Sequence, residues 1–280
     1  MLTLTRMKLG NLAEIRQQMS KTRKPAVAGR FYPAEAGALQ NLVDEFISNA
    51  TSHAGGPFPR ALIAPHAGYP YSGRTAGSAF ASWRDAPLQR IVLIGPAHYK
   101  RVSGLALSSA TSFATPLGEI PVDVDSVAAL ERHAIVTYDD QAHAPEHCLE
   151  VELPFLQRVL SDFTLVPLLA GEVDPSAVTE VLEPCLRDGA TGIVVSSDLS
   201  HFHTYKVASE LDAQTARNIL TLNELDNRQA CGYRPINGLL RLAKSNKLAA
   251  SQLALTNSGD AGGAWDRVVG YGAFAFVEDV

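Results

Sequence analysis

Three short apolar runs, each delivering a histidine a few residues past its end, constrain this chain more than any other feature. Ile91–Ile94 is unbroken and is followed by Gly95, Pro96 and His98. Ala61–Ala64 leads to Pro65 and His66, and Gly192–Val195 runs into Ser196, Ser197, Asp198 and His201. Continuous apolar runs of this length mark strands buried on both faces, as in a parallel sheet. The C-terminal ends of parallel strands border one crevice, where ligands bind. The pattern predicts that His66, His98 and His201 meet at that crevice, with Gly95 and Pro96 ending the second strand.

Helix and strand signals alternate through the rest of the chain, with neither linker nor repeat. An amphipathic stripe of Leu39, Leu42, Val43, Phe46 and Ile47 predicts a helix over Glu35–Asn49. Further helices are expected beyond His66 (Ala76, Ala79, Phe80 and Trp83 sharing a face), at Ser126–Arg132, at Val151–Leu160 with Pro154 in its first turn, and at Pro175–Arg187, Val207–Leu220 and Pro235–Lys247. Strands are expected at Gly104–Leu107, Thr164–Leu169, Ser251–Thr256 and Val268–Val277, with a hairpin turning at Leu117-Gly118. Met1–Lys24 reads as an N-terminal extension or loosely docked helix, and residues 25–280 as the folded unit. The expected fold is α/β: a single three-layer α/β/α domain with a mostly parallel or mixed central sheet.

Bulk properties narrow the function classes. Hydrophobic residues make up 46% of the 280, enough for one large core. A net charge of −5 without a basic run argues against nucleic-acid binding. No apolar stretch is long enough to cross a bilayer, so no membrane role is expected. The first ten residues lack the apolar core of a signal peptide, and three cysteines without framework spacing suit a reducing, cytoplasmic location. The dinucleotide fingerprint, the phosphate loop and the nucleophile elbow are all missing from the sequence.

Imidazole is the commonest metal ligand and the side chain that titrates near neutral pH, so the three histidines imply a metal site, acid–base work, or both. Cys231, in a loop before a helix start, reads either as a packed thiol or as a ligand of lowered pKa. Asp198 either orients an imidazole or caps a turn. His143 and His147 have a spacing that would suit two ligands on a helix, but Pro145 stands between them; Glu146 and His147 are expected at the rim or directly behind the ligands. Tyr69 and Tyr71 flank the first histidine loop and could line a pocket, and Asp260 lies in a turn-rich loop, Asn257–Asp260, near the strand ends. Cys148 and Cys185 are expected in the core, His203 exposed, and His53 and His133 at the surface.

The motifs PAVAGRFYP (25–33), PHAGYPY (65–71), GPAHY (95–99), EHCLEVELP (146–154), SSDLSHFH (196–203), ACGYRPI (230–236) and NSGD (257–260) together resemble the Memo family, over about residues 24–279. Bacterial and archaeal members include protein B of the AmmeMemoRadiSam system, which implies radical-SAM-type and third-component partners. The resemblance implies a LigB-like fold, related to the class III extradiol dioxygenases. It implies one transition metal on His66, His98 and Cys231, Fe(II) in first place with Cu or Zn as alternatives. It implies that His201 is the acid–base residue, with Asp198 its nearby acid. From their own positions in the sequence, Tyr69, Glu146, His147 and Asp260 are expected around the pocket. The dioxygenases complete two histidines with a carboxylate; here a thiolate stands in that place, a softer donor set. The leading expectation is a metal-dependent, oxygen-handling redox protein acting on a small molecule. The alternatives are a peptide- or protein-binding module using the same pocket and a Zn-dependent hydrolase.

Overall fold

The computed structural model describes residues 21–50, 58–187 and 189–278. His53 and all but the last few residues of the expected N-terminal extension lie outside them. The first half of the chain forms β1 (Thr22–Arg23), α1 (Ala36–Ser48), β2 (Ala61–Ala64), α2 (Tyr69–Ala81), β3 (Arg90–Pro96), β4 (Leu105–Leu107), β5 (Ser112–Thr115), β6 (Gly118–Pro121), α3 (Val124–Leu130), β7 (Val136–Tyr138) and α4 (Asp140–His143). The second half forms α5 (Leu153–Val159), β8 (Thr164–Ala170), α6 (Pro175–Leu182), β9 (Thr191–Ser196), β10 (His201–His203), α7 (Tyr205–Leu220), α8 (Tyr233–Ser245), β11 (Leu248–Asn257) and β12 (Val268–Glu278). Local chemistry sets several boundaries. Glu35 accepts from the first-turn N–H groups of Gly37 and Ala38, and Asp174 caps α6 ahead of Pro175.

The main sheet runs in the order β10-β12-β2-β9-β3-β8-β4-β7, with β11 paired to β12. Its centre, β2-β9-β3-β8, is parallel throughout, and β4 and β12 join that centre antiparallel on either side. Helices α1, α2 and α5 pack together, as do α6 and α8, so the sheet is sandwiched as a three-layer α/β/α domain. The four central strands are buried almost end to end because both faces are covered. No helix among the described residues is long and apolar enough to cross a membrane.

Two expectations need correction here. Strand β3 continues through Gly95 and Pro96, whose partners on β8 are Leu169 and Ala170. Its pairing with β9 ends at Ile94, so Pro96 lies where one side of the strand is unpaired and its missing N–H does no harm. Thr22 and Arg23, expected in the extension, form a strand parallel to β5 in a small sheet, β1-β5-β6. Arg23 is buried and its guanidinium pairs with the fully buried Glu150.

Candidate metal centre

Strands β2, β3 and β9 are parallel, so their C-terminal ends open on one edge, and His66 and His98 follow two residues beyond β2 and β3. His66 is buried. Its backbone N–H donates to Asp198 Oδ1 at 2.8 Å, and its Nδ1 lies 2.8 Å from Ser196 Oγ at the end of β9. The same hydroxyl contacts Cys148 O at 2.7 Å and Glu152 Oε1 at 2.8 Å. Burial pushes the Glu152 carboxyl well up, against the pull of the Ser196 hydroxyl that donates to it. With its one proton directed at these two acceptors, the hydroxyl oxygen offers His66 a lone pair, which accepts the Nδ1–H. That tautomer leaves the Nε2 lone pair free, and Nε2 faces Cys231 Sγ at 3.3 Å.

His98 is held by one carboxylate. Glu146 Oε2 accepts its backbone N–H at 2.6 Å and Glu146 Oε1 meets its Nδ1 at 2.9 Å. Oε1 also accepts the backbone N–H groups of His147 (3.0 Å) and Cys148 (3.2 Å). Glu146 is therefore a buried carboxylate behind the ring, the arrangement that fixes a ligand histidine's orientation and tautomer. Burial pushes Glu146 up, but the bonds to His147 and His98 outweigh it and keep it ionised, below the usual range.

His147, expected at the rim or directly behind the ligands, stands among the rings themselves. Its ring centroid is 4.9 Å from that of His98 and 5.4 Å from that of His66, and His66 and His98 are 5.1 Å apart. Ligand-capable atoms of the three rings lie within 4.8 Å of one another. His143, by contrast, turns away: its Nε2 meets Ala106 O at 3.0 Å against Phe113. The loop between them is set from outside the site. Arg23 donates to the carbonyls of His143 and Glu146, while Glu150 takes the N–H groups of Ala26 and Val27 and the hydroxyl of Tyr32. Nothing in the local sequence of 139–147 signals this anchoring.

Cys231 sits just before α8, half-buried. Gly232 follows because a Cβ there would come within 2.8 Å of Ser197. Its N–H donates to Ser197 Oγ at 2.9 Å, which draws Cys231 onto the end of β9. Cys148, by contrast, is buried, with its Sγ 3.1 Å from Pro96 O and its thiol pushed up first by burial and then by Glu146. It packs against Gly95, where any Cβ would come within 2.7 Å of the sulfur.

His201 lies outside the ring cluster but near enough to act electrostatically on His66 and Asp198. Its Nδ1 meets Leu199 O at 2.8 Å, so Nδ1 carries a proton and donates it to that carbonyl, while Nε2 is left out of that bond. The next residue, Phe202, holds a left-handed backbone (φ 63°) at a break in the β10–β12 register, with its ring exposed. Backbone strain of this kind costs about 1–3 kcal/mol and concentrates at functional sites. Asp198 is buried, and its carboxyl is pushed up by burial against the pull of His201.

Two pocket assignments do not survive. Tyr69 opens α2 with its ring packed on Tyr32, Phe46 and Phe155 and its hydroxyl on Val151 O (2.7 Å), so it belongs to the core. Asp260 is exposed and closes its own loop, accepting from Tyr205 Oη (2.6 Å) and Asn257 N (2.9 Å). His133 and His203 are half-buried rather than exposed.

The donor set suits a cation. Burial and the neighbouring His98 and His147 hold the His66 imidazole well below its usual range, so it stays neutral with a free lone pair. Burial also lowers His98, but Cys231 and Glu146 outweigh it and raise it to about 10. The site thus attracts positive charge at the point where imidazole and sulfur converge. A cavity of about 720 Å³ lies elsewhere, beside Gln89 and Thr164 at the opposite ends of the strands.

Fold and site together define a three-layer α/β/α protein with a histidine-rich, thiol-flanked centre at the C-terminal edge of its parallel strands. The sequence profile of the Memo-like proteins matches residues 23–275. The chain belongs to this Memo family. It is 35% identical over 268 residues to a MEMO1 family protein of Methanosarcina mazei, covering 90% of this chain and 97% of that one. It is 31% identical over 260 residues to MEMO1 family protein TV1383 of Thermoplasma volcanium, covering 89% and 96%. The fold is similar to the crystal structure of the uncharacterized protein JW3007 from Escherichia coli K12, with a TM-score of 0.50 at 14% identity, over 78% of this chain and 100% of that one.

Proposed function

We propose that this chain is a metal-dependent redox protein, cytoplasmic, with a pocket of the LigB-like dioxygenase type. His66, His98 and Cys231 hold one transition metal, Fe(II) in first place, and His147 is placed to join them. The observation that carries this reading is the convergence of the imidazoles, with Nδ1 of His66 and of His98 engaged from behind by Ser196 and Glu146. A bound metal of this kind supplies a centre that can exchange electrons with O₂ or a small substrate. His201 moves the proton, accepting it at Nε2 while Leu199 O holds Nδ1–H. Asp198 steadies the resulting imidazolium from its buried position. In cells, the proposed partners are a radical-SAM-type protein and a third component.

The test is metal analysis of protein purified without oxygen, then Fe(II) reconstitution and an oxygen-consumption assay. Near-unit iron lost in His66→Ala, and oxygen uptake lost in His201→Ala with iron retained, support the reading. Iron content unchanged in His66→Ala overturns the ligand assignment.

A second reading, a peptide- or protein-binding module, draws on Tyr99 and Phe202. Both rings are more than half exposed and stand against His147 and His201. A partner captured by the wild type and lost in Tyr99→Ala, with no oxidation detectable, favours it. A zinc hydrolase fits less well, because Glu146, the carboxylate beside the rings, already spends both oxygens on N–H donors.

A further inference from the structure

A small cavity of about 180 Å³ adjoins the centre, bounded by Pro96 and Ala97 ahead of His98, by Arg101 and its partner Glu172, and by Cys231, Tyr233 and Arg234 at the start of α8. Among the described residues, five arginines are buried or half-buried: Arg23, Arg60, Arg90, Arg234 and Arg241. Four of them face a carboxylate, namely Glu150, Glu278, Asp123 and Glu224 respectively. Arg234 has none. Its guanidinium lies 4.9 Å from the centroid of the Tyr233 ring, a cation–π contact that positions the charge without neutralising it. Unlike the other four, this half-buried guanidinium has no carboxylate of the described residues beside it, which leaves its charge available to an anion from outside the chain.

We propose that this cavity is a carboxylate-binding subsite of the metal centre, with Arg234 as its principal cation and Arg101 as its second. Arg101 also lines it but shares its charge with Glu172 at 2.8 Å. The guanidinium fork matches a carboxylate in a bidentate geometry that an ammonium does not reproduce. The first turn of α8 adds to this: Gly232 provides no side-chain cap, and the dipole of the 13-residue helix favours negative charge there. The volume is below that of pockets for drug-sized molecules, so it takes the acid head of a small substrate. Such a substrate would extend past Cys231 toward the imidazoles. The inference rests on the metal-site reading for what the anchored molecule meets, but not for the anchoring itself.

The test uses metal-free full-length protein and compares alkylation of Cys231 by iodoacetate and by iodoacetamide, followed by mass spectrometry of the cysteine peptide. In both reactions the thiolate displaces iodide, so the rate ratio cancels thiol reactivity and reports affinity for the carboxylate. Relative to a free thiol, the ratio is expected to rise about 10-fold, equivalent to about 1.4 kcal/mol. It should saturate with iodoacetate, fall with added propionate, return to the free-thiol value in Arg234→Ala, and stay partly raised in Arg234→Lys. A free-thiol ratio in the wild type, or an unchanged ratio in folded Arg234→Ala, overturns the proposal. Competition by inorganic phosphate but not by propionate overturns the carboxylate class. The propionate arm needs no variant. Metal content is measured separately, so a raised ratio in a protein that binds no metal removes the metal reading and leaves this subsite standing.

Discussion

Replacing Glu146 with Gln tests the site at the group that organises most of it. In the native protein Oε2 takes the His98 N–H, while Oε1 takes His98 Nδ1 and the N–H groups of His147 and Cys148. A glutamine has one acceptor oxygen, and its better orientation keeps that oxygen at the Oε1 position, turning the amide nitrogen toward the His98 N–H. One buried N–H then loses its acceptor, at about 1–3 kcal/mol, and the remaining bonds lose their charge. A total of about 2–4 kcal/mol of stability should disappear, read as a lowered urea midpoint in metal-free protein. The His98 ring also loses the carboxylate that fixes it, which should weaken metal binding about 10- to 100-fold, or about 1.4–2.7 kcal/mol. Competition against a chromogenic chelator, with Zn(II) and with Fe(II), measures that separately. A folded Glu146→Gln protein with wild-type affinity for both ions would refute the argument that this carboxylate orients ligands.

Arg23→Ala should destabilise the protein by about 3–5 kcal/mol in denaturant titration, since it leaves Glu150 buried without its cation. An effect below about 1 kcal/mol would show that the 143–152 loop holds itself without β1. Burial holds His143 down at about 4, below its unfolded value near 6.5, so the folded state binds fewer protons there. The stability this histidine contributes is full above about pH 6.5 and is lost as pH falls toward about 4. His143→Gln should flatten the fall in stability between pH 7 and pH 5, and an unchanged slope would place the acid sensitivity elsewhere.

The three-layer architecture and two of the site histidines were legible in one dimension, because a strand covered on both faces needs a continuous apolar run. Ala61–Ala64, Ile91–Ile94 and Gly192–Val195 announce themselves in this way, and parallel pairing sends their ends to one edge. The nearness of Cys231 to His66 was legible only through a resemblance, since it depends on Gly232 meeting Ser197 across the fold. The places of His147, Tyr69 and Asp260 were not legible at all. His147 reaches the rings because Arg23 and the Ala26 backbone, more than 100 residues away in sequence, pin an irregular loop through the His143 and Glu146 carbonyls and the Glu150 carboxylate. Tyr69 stands three residues from His66, but the first turn of α2 directs its ring into the core. Periodicity in sequence records which side of a strand or helix is buried. Where a loop side chain ends up is decided by distant groups that hold its backbone, and only the folded chain brings those together.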